Sequence, residues 1–234
     1  MIVLAQLVLA HLLGDFLLQP NRGVRQKEEK KWRAPFLYLH AIIHFGLILL
    51  ITWQGPMWIP AAVIAGTHLI IDGLKLQFQR EKTKTTWFVI DQALHFIVVV
   101  LVWLLLTNPE VKLSLPLNSD FWYVLTGAVF LSVPGSIVIS LLLSPYSKFA
   151  GENAEDSLPN AGKFIGILER LMIFLFILLG QWAAIGFLMA AKSIFRFGDL
   201  TNAKDRKLTE YILIGTLLSF GLAIVTGLLV RFVI

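Results

Sequence analysis

The sequence predicts an all-α, polytopic membrane helix bundle with eight transmembrane helices, seven being the alternative count. Three observations support this prediction. Hydrophobic residues make up 57% of the 234 residues and charged residues only 15%, against about 25% charged residues in soluble domains. The mean hydropathy is +0.76. Several apolar runs reach the length of about 20 residues that a helix needs to cross a bilayer.

The spans follow from these runs in chain order. We expect helices over about 2–19, 34–54, 57–78, 87–106, 121–144 and 208–232, with a further apolar block over about 162–197. As one helix, that block would measure about 54 Å at 1.5 Å per residue, which exceeds a hydrocarbon core of about 30 Å. A hairpin of two short helices that turns near Gly180 and Gln181 resolves this difficulty.

The first segment is expected to remain in the protein as a helix. It has no basic n-region and no small-residue cleavage site, and its centre is polar, so it does not resemble a secretory signal peptide. The chain contains no cysteine, which excludes disulfides, thiolate metal sites and cysteine nucleophiles.

Basic residues predict the orientation of the helices. The segments NRGVRQKEEKKWR and QFQREKTKTT are strongly basic, whereas TWQGPMW and TNPEVKLSLPLNSD hold only Lys112. By the positive-inside rule, the loops 20–34 and 79–86 are cytoplasmic and the N-terminus lies outside the cell. The polar segment 144–160 is expected to be another cytoplasmic loop. Topology and lipid contact account for the basic loops, and nucleic-acid binding is not expected.

The first four spans share an unusual polar pattern. Each carries two metal-ligating side chains four residues apart, which places both on one face of a helix. These pairs are His11 and Asp15, His40 and His44, His68 and Asp72, and Asp91 and His95. At 1.5 Å per residue, all four pairs fall in one layer, roughly 6–15 Å inside the cytoplasmic boundary. We therefore expect residues 1–110 to form a four-helix membrane domain with an internal metal site, and residues 111–234 to hold the remaining helices.

The ligand types narrow the choice of metal. Imidazole and carboxylate without thiolate suit zinc, manganese or iron. Eight ligands exceed the four of a tetrahedral zinc and suit two ions about 3.5–4 Å apart. We therefore expect a divalent cofactor, with two zinc ions as the first choice and manganese or iron as alternatives. A metal-free proton or ion relay and purely structural polar packing stay open, because intramembrane His and Asp residues also serve those purposes.

Further polar residues accompany this layer. Lys75 follows Asp72 by three residues and is expected near the same face, where it would bind a phosphate or reach the cytoplasmic surface. Gln19 continues the stripe of the first span, and Gln92 flanks Asp91. Both glutamines are candidate hydrogen-bond partners of the ligands.

The back half contains a second set of charged residues in apolar surroundings. If the hairpin turns near residue 180, Glu169 faces Lys192. We expect a structural ion pair there, because a buried acid in lipid needs a partner. Arg170 and Arg196 would then be available to an anionic headgroup or a phosphate.

Three motifs and the histidine-bearing second helix carry a family resemblance. HLLGDFLLQ, HLIIDGLK and FVIDQALH resemble, in this order, a bacterial membrane-protein family of domain of unknown function 3307 over roughly residues 1–110. The resemblance implies a multi-pass protein of the bacterial inner membrane and no established activity.

A second resemblance is local. HLLGDFLLQP is similar to the helix motif H-x-x-G-D-x-x-Q-P of the zinc-dependent phospholipase C and single-strand nuclease superfamily, whose His and Asp bind zinc. It implies that role for His11 and Asp15 only, because Gln19 and Pro20 come one position late and no His follows. A looser resemblance is to membrane-bound metal-dependent hydrolases with His and Asp in apolar helices.

Several functions fit these expectations. The first is an integral membrane metal-dependent hydrolase that acts at the cytoplasmic leaflet on a phosphate- or ester-bearing membrane lipid. Asp91 or Asp72 would take a proton from the attacking water, and Lys75, Arg170 and Arg196 would neutralise the anionic headgroup. The alternatives are a metal- or proton-coupled membrane transporter, a di-iron membrane oxidase, and a non-catalytic scaffold or sensor. The oligomeric state stays open.

Overall fold

The structure is a computed structural model that describes residues 2–53, 57–106, 119–149, 161–197 and 203–234, without the side chains of 106, 147–149, 195–197 and 203–207. Within these ranges every regular element is helical and none is a strand, which confirms the all-α prediction. The expected connection around Lys112, most of the expected loop 144–160 and the side chain of Arg196 lie outside the described residues.

Ten α-helices follow one another in the described part of the chain. They are α1 (Ile2–Leu12), α2 (Asn21–Lys30), α3 (Pro35–Thr52), α4 (Trp58–Phe78), α5 (Lys84–Leu106), α6 (Ser119–Leu131), α7 (Val133–Leu143), α8 (Ala161–Leu178), α9 (Trp182–Phe197) and α10 (Ala203–Val233). A π-helical turn continues α1 over Leu13–Leu17. Three short 3-10 turns lie at Lys31–Arg33, Glu81–Thr83 and Ser144–Phe149.

The apolar helices are compatible with a membrane protein. Four described segments are long and apolar enough to cross a membrane, namely Pro35–Thr52, Trp58–Phe78, Glu81–Leu105 and Leu208–Val233. Two bent helix pairs raise the number to six if each pair is one span. This is fewer than the eight spans expected, because α8 carries Lys163, Glu169 and Arg170, and the apolar part of α9 is short.

The chain divides into two compact units, Met1–Thr126 and Gly127–Ile234. The boundary lies within α6, and the division expected at residue 110 lies outside the described residues. The first turns of α6 belong to the first unit, where the hydroxyl of Thr126 donates to the carbonyl oxygen of Ala5 at 3.1 Å.

In the first unit, α3 packs against α1 and α4, and α5 packs against α1 and α4. The apolar core of this bundle includes Leu7 and Ala10 of α1, Ile48 of α3, Ala61 of α4 and Val99 of α5. These residues precede the ligands in α1 and α4 and follow them in α3 and α5. The polar ligands therefore lie together toward one end of the four helices.

The basic segment expected as a loop over 20–34 is instead the helix α2 and a 3-10 turn. This part meets the preceding helical segment at 83°. Pro20 precedes the helix with a φ of −72°, and the Arg, Gln, Lys and Glu residues that follow favour helix. Arg22 and Arg25 are exposed, but Lys27 is only 5% exposed. The segment therefore presents one basic face outward and sends one lysine inward.

In the second unit, α8 packs against α7, α9 and α10. Gly180 has a φ of +71°, a conformation that glycine adopts without strain. It reverses the chain between α8 and α9, which is where the sequence placed the hairpin turn. The expected span over 121–144 is two helices bent by 42° near Ser132. Pro134 follows this break and has no N–H to continue a helix.

Candidate metal centre

The eight predicted ligands meet in one buried cluster of the first unit. Seven of them lie on α-helices, where spacing by four residues aligns each pair on the inner face. Asp15 is different, because it lies in the π-helical turn Leu13–Leu17 that widens the end of α1. Such turns occur frequently at functional sites. The side chain of Asp15 is 8% exposed, and the Asp15 carboxylate is the centre of the cluster.

Asp15 is surrounded by imidazoles. Its Oδ1 accepts hydrogen bonds from His40 Nε2 at 3.1 Å and His44 Nε2 at 3.0 Å. His68 Nε2 lies 3.3 Å from the same oxygen. His11 Nε2 lies 3.7 Å from Asp15 Oδ2. Four ring nitrogens from three helices therefore point at one carboxylate.

The spacing of these atoms fits a divalent metal. Ligand atoms can be chosen within 4.8 Å of one another in three overlapping sets. The sets are His11, Asp15, His44 and His68; His40, His68 and Asp72; and Asp72, Asp91 and His95. The 3.1 Å between His40 Nε2 and His68 Nε2 is close to the edge of a zinc tetrahedron, about 3.3–3.4 Å for bonds of 2.0–2.1 Å.

Several buried polar atoms of the cluster have no hydrogen-bond partner among the described residues. They include Asp91 Oδ1 and both ring nitrogens of His95. Buried polar atoms are nearly always paired in folded proteins. An ion or a bound oxygen ligand beside Asp91 and His95 would supply the missing partner.

Two lysines enter the cluster and each pairs with one carboxylate. Lys27 Nζ donates to Asp72 Oδ2 at 2.6 Å, and Lys75 Nζ donates to Asp91 Oδ2 at 2.9 Å. The Lys75 ammonium also lies 5.4 Å from the ring centre of Phe88. Lys75 was expected near the face of Asp72, to bind a phosphate or reach the cytoplasmic surface. In the structure it bonds to Asp91, the carboxylate on the next helix.

The sequence does not distinguish Lys27, because it stands in a run of basic residues that predicts a loop. A usable signal was its spacing from Gly23. Both residues lie on the buried face of α2, and a Cβ on Gly23 would come within 2.4 Å of the Phe36 ring. The small residue lets α2 approach α3 closely, which carries Lys27 into the cluster.

Gln92 and Gln19 hold the ligands and the lysines in place. Gln92 Nε2 donates to Asp15 Oδ2 at 2.8 Å, and its Oε1 lies 3.3 Å from His11 Nε2. With its amide oriented so that both atoms have partners, Gln19 donates to the carbonyl oxygen of Asp15 at 3.2 Å and accepts from Lys27 Nζ at 2.8 Å. Both side chains therefore act as partners of ligands.

The arginines expected to bind a headgroup have other surroundings. Arg170 is 3% exposed and donates to the carbonyl oxygens of Leu131 (2.7 Å) and Ser132 (3.0 Å). It also donates to the hydroxyls of Ser136 (2.6 Å) and Ser219 (3.2 Å). These contacts occupy the guanidinium with protein groups. Arg170 therefore has a structural role in place of the expected binding of an anionic headgroup.

Glu169 and Lys192, the expected ion pair, lie in contact. Lys192 Nζ donates to Glu169 Oε2 at 2.5 Å across the turn between α8 and α9. The side chain of Lys192 is 27% exposed and that of Glu169 is 12% exposed. The pair joins the two helices of the hairpin.

Comparison with known proteins gives one match. The sequence profile of a family described as "Protein of unknown function (DUF3307)" matches residues 3–124. This range contains all eight ligands and both lysines of the cluster. No curated protein and no solved structure matches the chain.

Proposed function

The chain belongs to the DUF3307 family of proteins of unknown function, and we propose that it is an integral membrane metal-dependent hydrolase. One observation carries this proposal: five imidazoles and three carboxylates from four apolar segments meet in one buried cluster. A charged side chain at the centre of a membrane helix costs about 2.5–3.5 kcal/mol. Polar packing alone is therefore a costly reason to place so many ionisable groups there.

The cofactor that we propose is a divalent metal, zinc before manganese or iron. The set of His11, Asp15, His44 and His68 offers up to four ligands, of which three are enough for a catalytic zinc that keeps its fourth position for water. The remaining ligand side chains border this set and provide oxygen and nitrogen atoms for a bound water or a substrate.

The chemistry that we propose is hydrolysis of a phosphate- or ester-bearing lipid. A divalent ion in this position would activate a bound water as the nucleophile. A carboxylate outside the coordination sphere would accept its proton, and Asp91 and Asp72 are the candidates. Lys75, with a side chain that is 20% exposed, would exchange its bond to Asp91 for one to an anionic oxygen of the substrate.

We propose that the eight spans are α1, α3, α4, α5, the bent pair α6–α7, α8, α9 and α10, in a bacterial inner membrane. The exposed basic residues of α2 and of the turn before α5 favour a cytoplasmic position for this end of the bundle. The chain has no cysteine, so a Glu29→Cys variant reports orientation alone. Labelling of this exposed position by an impermeant thiol reagent in intact cells would contradict the proposed topology.

The decisive experiment measures bound metal and hydrolysis on the same sample. We expect the full chain, purified in mild detergent, to retain zinc or manganese and to release a water-soluble or monoacyl product from phospholipid vesicles. Iron in place of zinc would favour the di-iron oxidase. A chain that binds no metal after equilibration with zinc, manganese and iron would overturn the proposal.

One observation favours a second function, a metal- or proton-coupled transporter. The buried pair Lys27–Asp72 and the partly buried pair Lys75–Asp91 are groups of the kind that intramembrane proton pathways use. Flux of zinc or protons into proteoliposomes, without hydrolysis of their lipids, would support the transporter.

A further inference from the structure

The three carboxylates of the cluster have two kinds of neighbour. Asp15 has five imidazoles within 4.0 Å, and no ammonium bonds to it among the described residues. Asp72 and Asp91 each accept a hydrogen bond from a lysine instead. The cluster is therefore divided into a histidine side around Asp15 and a lysine side around Asp72 and Asp91.

From this division we infer that the cluster holds one metal ion, on the histidine side, and that Lys27 and Lys75 take the place of a second ion. The inference rests on the proposed metal centre and revises the two ions expected from the number of ligands. The ion lies among His11, Asp15, His44 and His68. Asp72 and Asp91 are neutralised by the protein itself.

Distances support this assignment. A second ion would take its ligands from Asp72, Asp91 and His95. Lys27 Nζ is 2.6 Å from Asp72 Oδ2, whereas the ring nitrogen His40 Nε2 is 3.9 Å from the same oxygen. An ammonium group thus already occupies one oxygen of each carboxylate, Asp72 Oδ2 and Asp91 Oδ2, which leaves Asp91 Oδ1 and the ring nitrogens of His95 to a bound water or a substrate.

Charge supports it as well. With neutral imidazoles, three carboxylates and two ammonium groups leave the cluster with one negative charge. One divalent ion changes this to one positive charge, whereas two ions would change it to three. Uncompensated charge is costly in an apolar interior, where charges interact far more strongly than in water. Of the two loadings, a single ion therefore leaves the smaller net charge, equal in magnitude to that of the empty cluster.

Metal stoichiometry of the wild-type chain tests the inference. Purified full-length protein is equilibrated with excess Zn²⁺, desalted and analysed by elemental mass spectrometry, and a parallel sample is titrated with Co²⁺. We expect about one zinc per chain and visible Co²⁺ absorption that saturates at about one equivalent. Two ions per chain would overturn the inference and leave the proposed function standing. No bound ion would overturn the proposed function itself.

Removal of the two ammonium groups tests their role as substitutes. The double variant Lys27→Met with Lys75→Met keeps the apolar stems and frees Asp72 and Asp91, so we expect about two ions per chain. The matched control is Lys84→Met, which removes a surface lysine paired with Glu28 at 2.6 Å and should stay at about one ion. A folded double variant that still binds one ion would show that the two ammonium groups do not take the place of a second ion. If the double variant does not fold, the wild-type Co²⁺ titration alone decides the number of ions.

Discussion

The first unit gathers its buried ionisable groups around Asp15, whereas the second unit buries Arg170 and pairs Glu169 with Lys192. In the second unit, each of these groups has protein partners within hydrogen-bond distance. Among the described residues, every buried side-chain polar atom without a partner belongs to the first unit. Burial of charge alone therefore does not indicate a ligand site. Convergence of ligand atoms together with unpaired buried atoms does.

The strongest test of this contrast is Asp15→Asn, which keeps the size of the side chain and removes its charge. Because Asp15 lies between four ring nitrogens, we expect metal content to fall by at least about tenfold, with loss of hydrolysis. Elemental analysis after equilibration with zinc measures the change. Asp120→Asn, an exposed acid of the same unit, is the matched control and should keep its metal. Full metal content in Asp15→Asn would show that the Asp15 carboxylate is not needed to bind the metal.

Gly14→Ala tests whether metal affinity depends on the position of the His44 ring. A Cβ on Gly14 would lie 2.4 Å from Cε1 of His44, so the ring has to shift. We expect metal affinity to fall by about 10–100-fold, the range seen when support of a ligand is lost.

The matched control for this variant is Gly66→Ala, because a Cβ there meets nothing within 4 Å. Competition with a chelator measures both affinities. Equal affinities in the two glycine variants would show that His44 is not a ligand.

Arg170→Met tests the second unit by the opposite criterion, with stability as the readout. The change leaves the carbonyl oxygens of Leu131 and Ser132 without the guanidinium, at a cost of about 1–3 kcal/mol for each group left unpaired. Thermal unfolding in detergent should show a clear loss of stability, and metal bound per folded chain should not change. Ser219→Ala, which removes one 3.2 Å contact, should cost less. Loss of metal in Arg170→Met at full stability would break the comparison.

Helical spacing was enough to predict that the eight candidate ligand side chains come together. Two ligands four residues apart in each of four apolar runs predict a common face, and the antiparallel packing of those runs brings the faces together. All eight side chains lie in the cluster for this reason. The turn at Gly180 could also be predicted from the sequence, because an apolar block too long for one membrane crossing must contain a turn.

The residues that escaped sequence reasoning depend on tertiary contacts. Lys27 is one of several basic residues in its segment, and only the close approach of α2 to α3 at Gly23 distinguishes it. The sequence does not show the partners of Arg170, because two of the four are backbone oxygens near the break before Pro134. Spacing between side chains does not report such oxygens. Composition likewise does not show that α2 is a helix crossing the first segment at 83°.

The smallest effect is expected for the Glu169–Lys192 pair. It joins α8 to α9, but both side chains are partly exposed, so the pair contributes roughly 1 kcal/mol or less to stability. Glu169→Lys and Lys192→Glu should each lower the unfolding temperature slightly, because each variant puts two like charges where the wild type has an ion pair at 2.5 Å. The double charge swap should recover most of that loss.

Lys163→Glu is the control for this charge swap, because Lys163 is exposed on the same helix. This variant should change the unfolding temperature little. Metal content should match the wild type in all of these variants, because a satisfied ion pair needs no ligand. A double variant no more stable than the weaker single variant would show that the two side chains do not stabilise the hairpin through each other. A change in metal content would show instead that the ion pair of the second unit also affects metal binding in the first. The presence or absence of hydrogen-bond partners would then no longer distinguish structural buried groups from metal-binding ones in this chain.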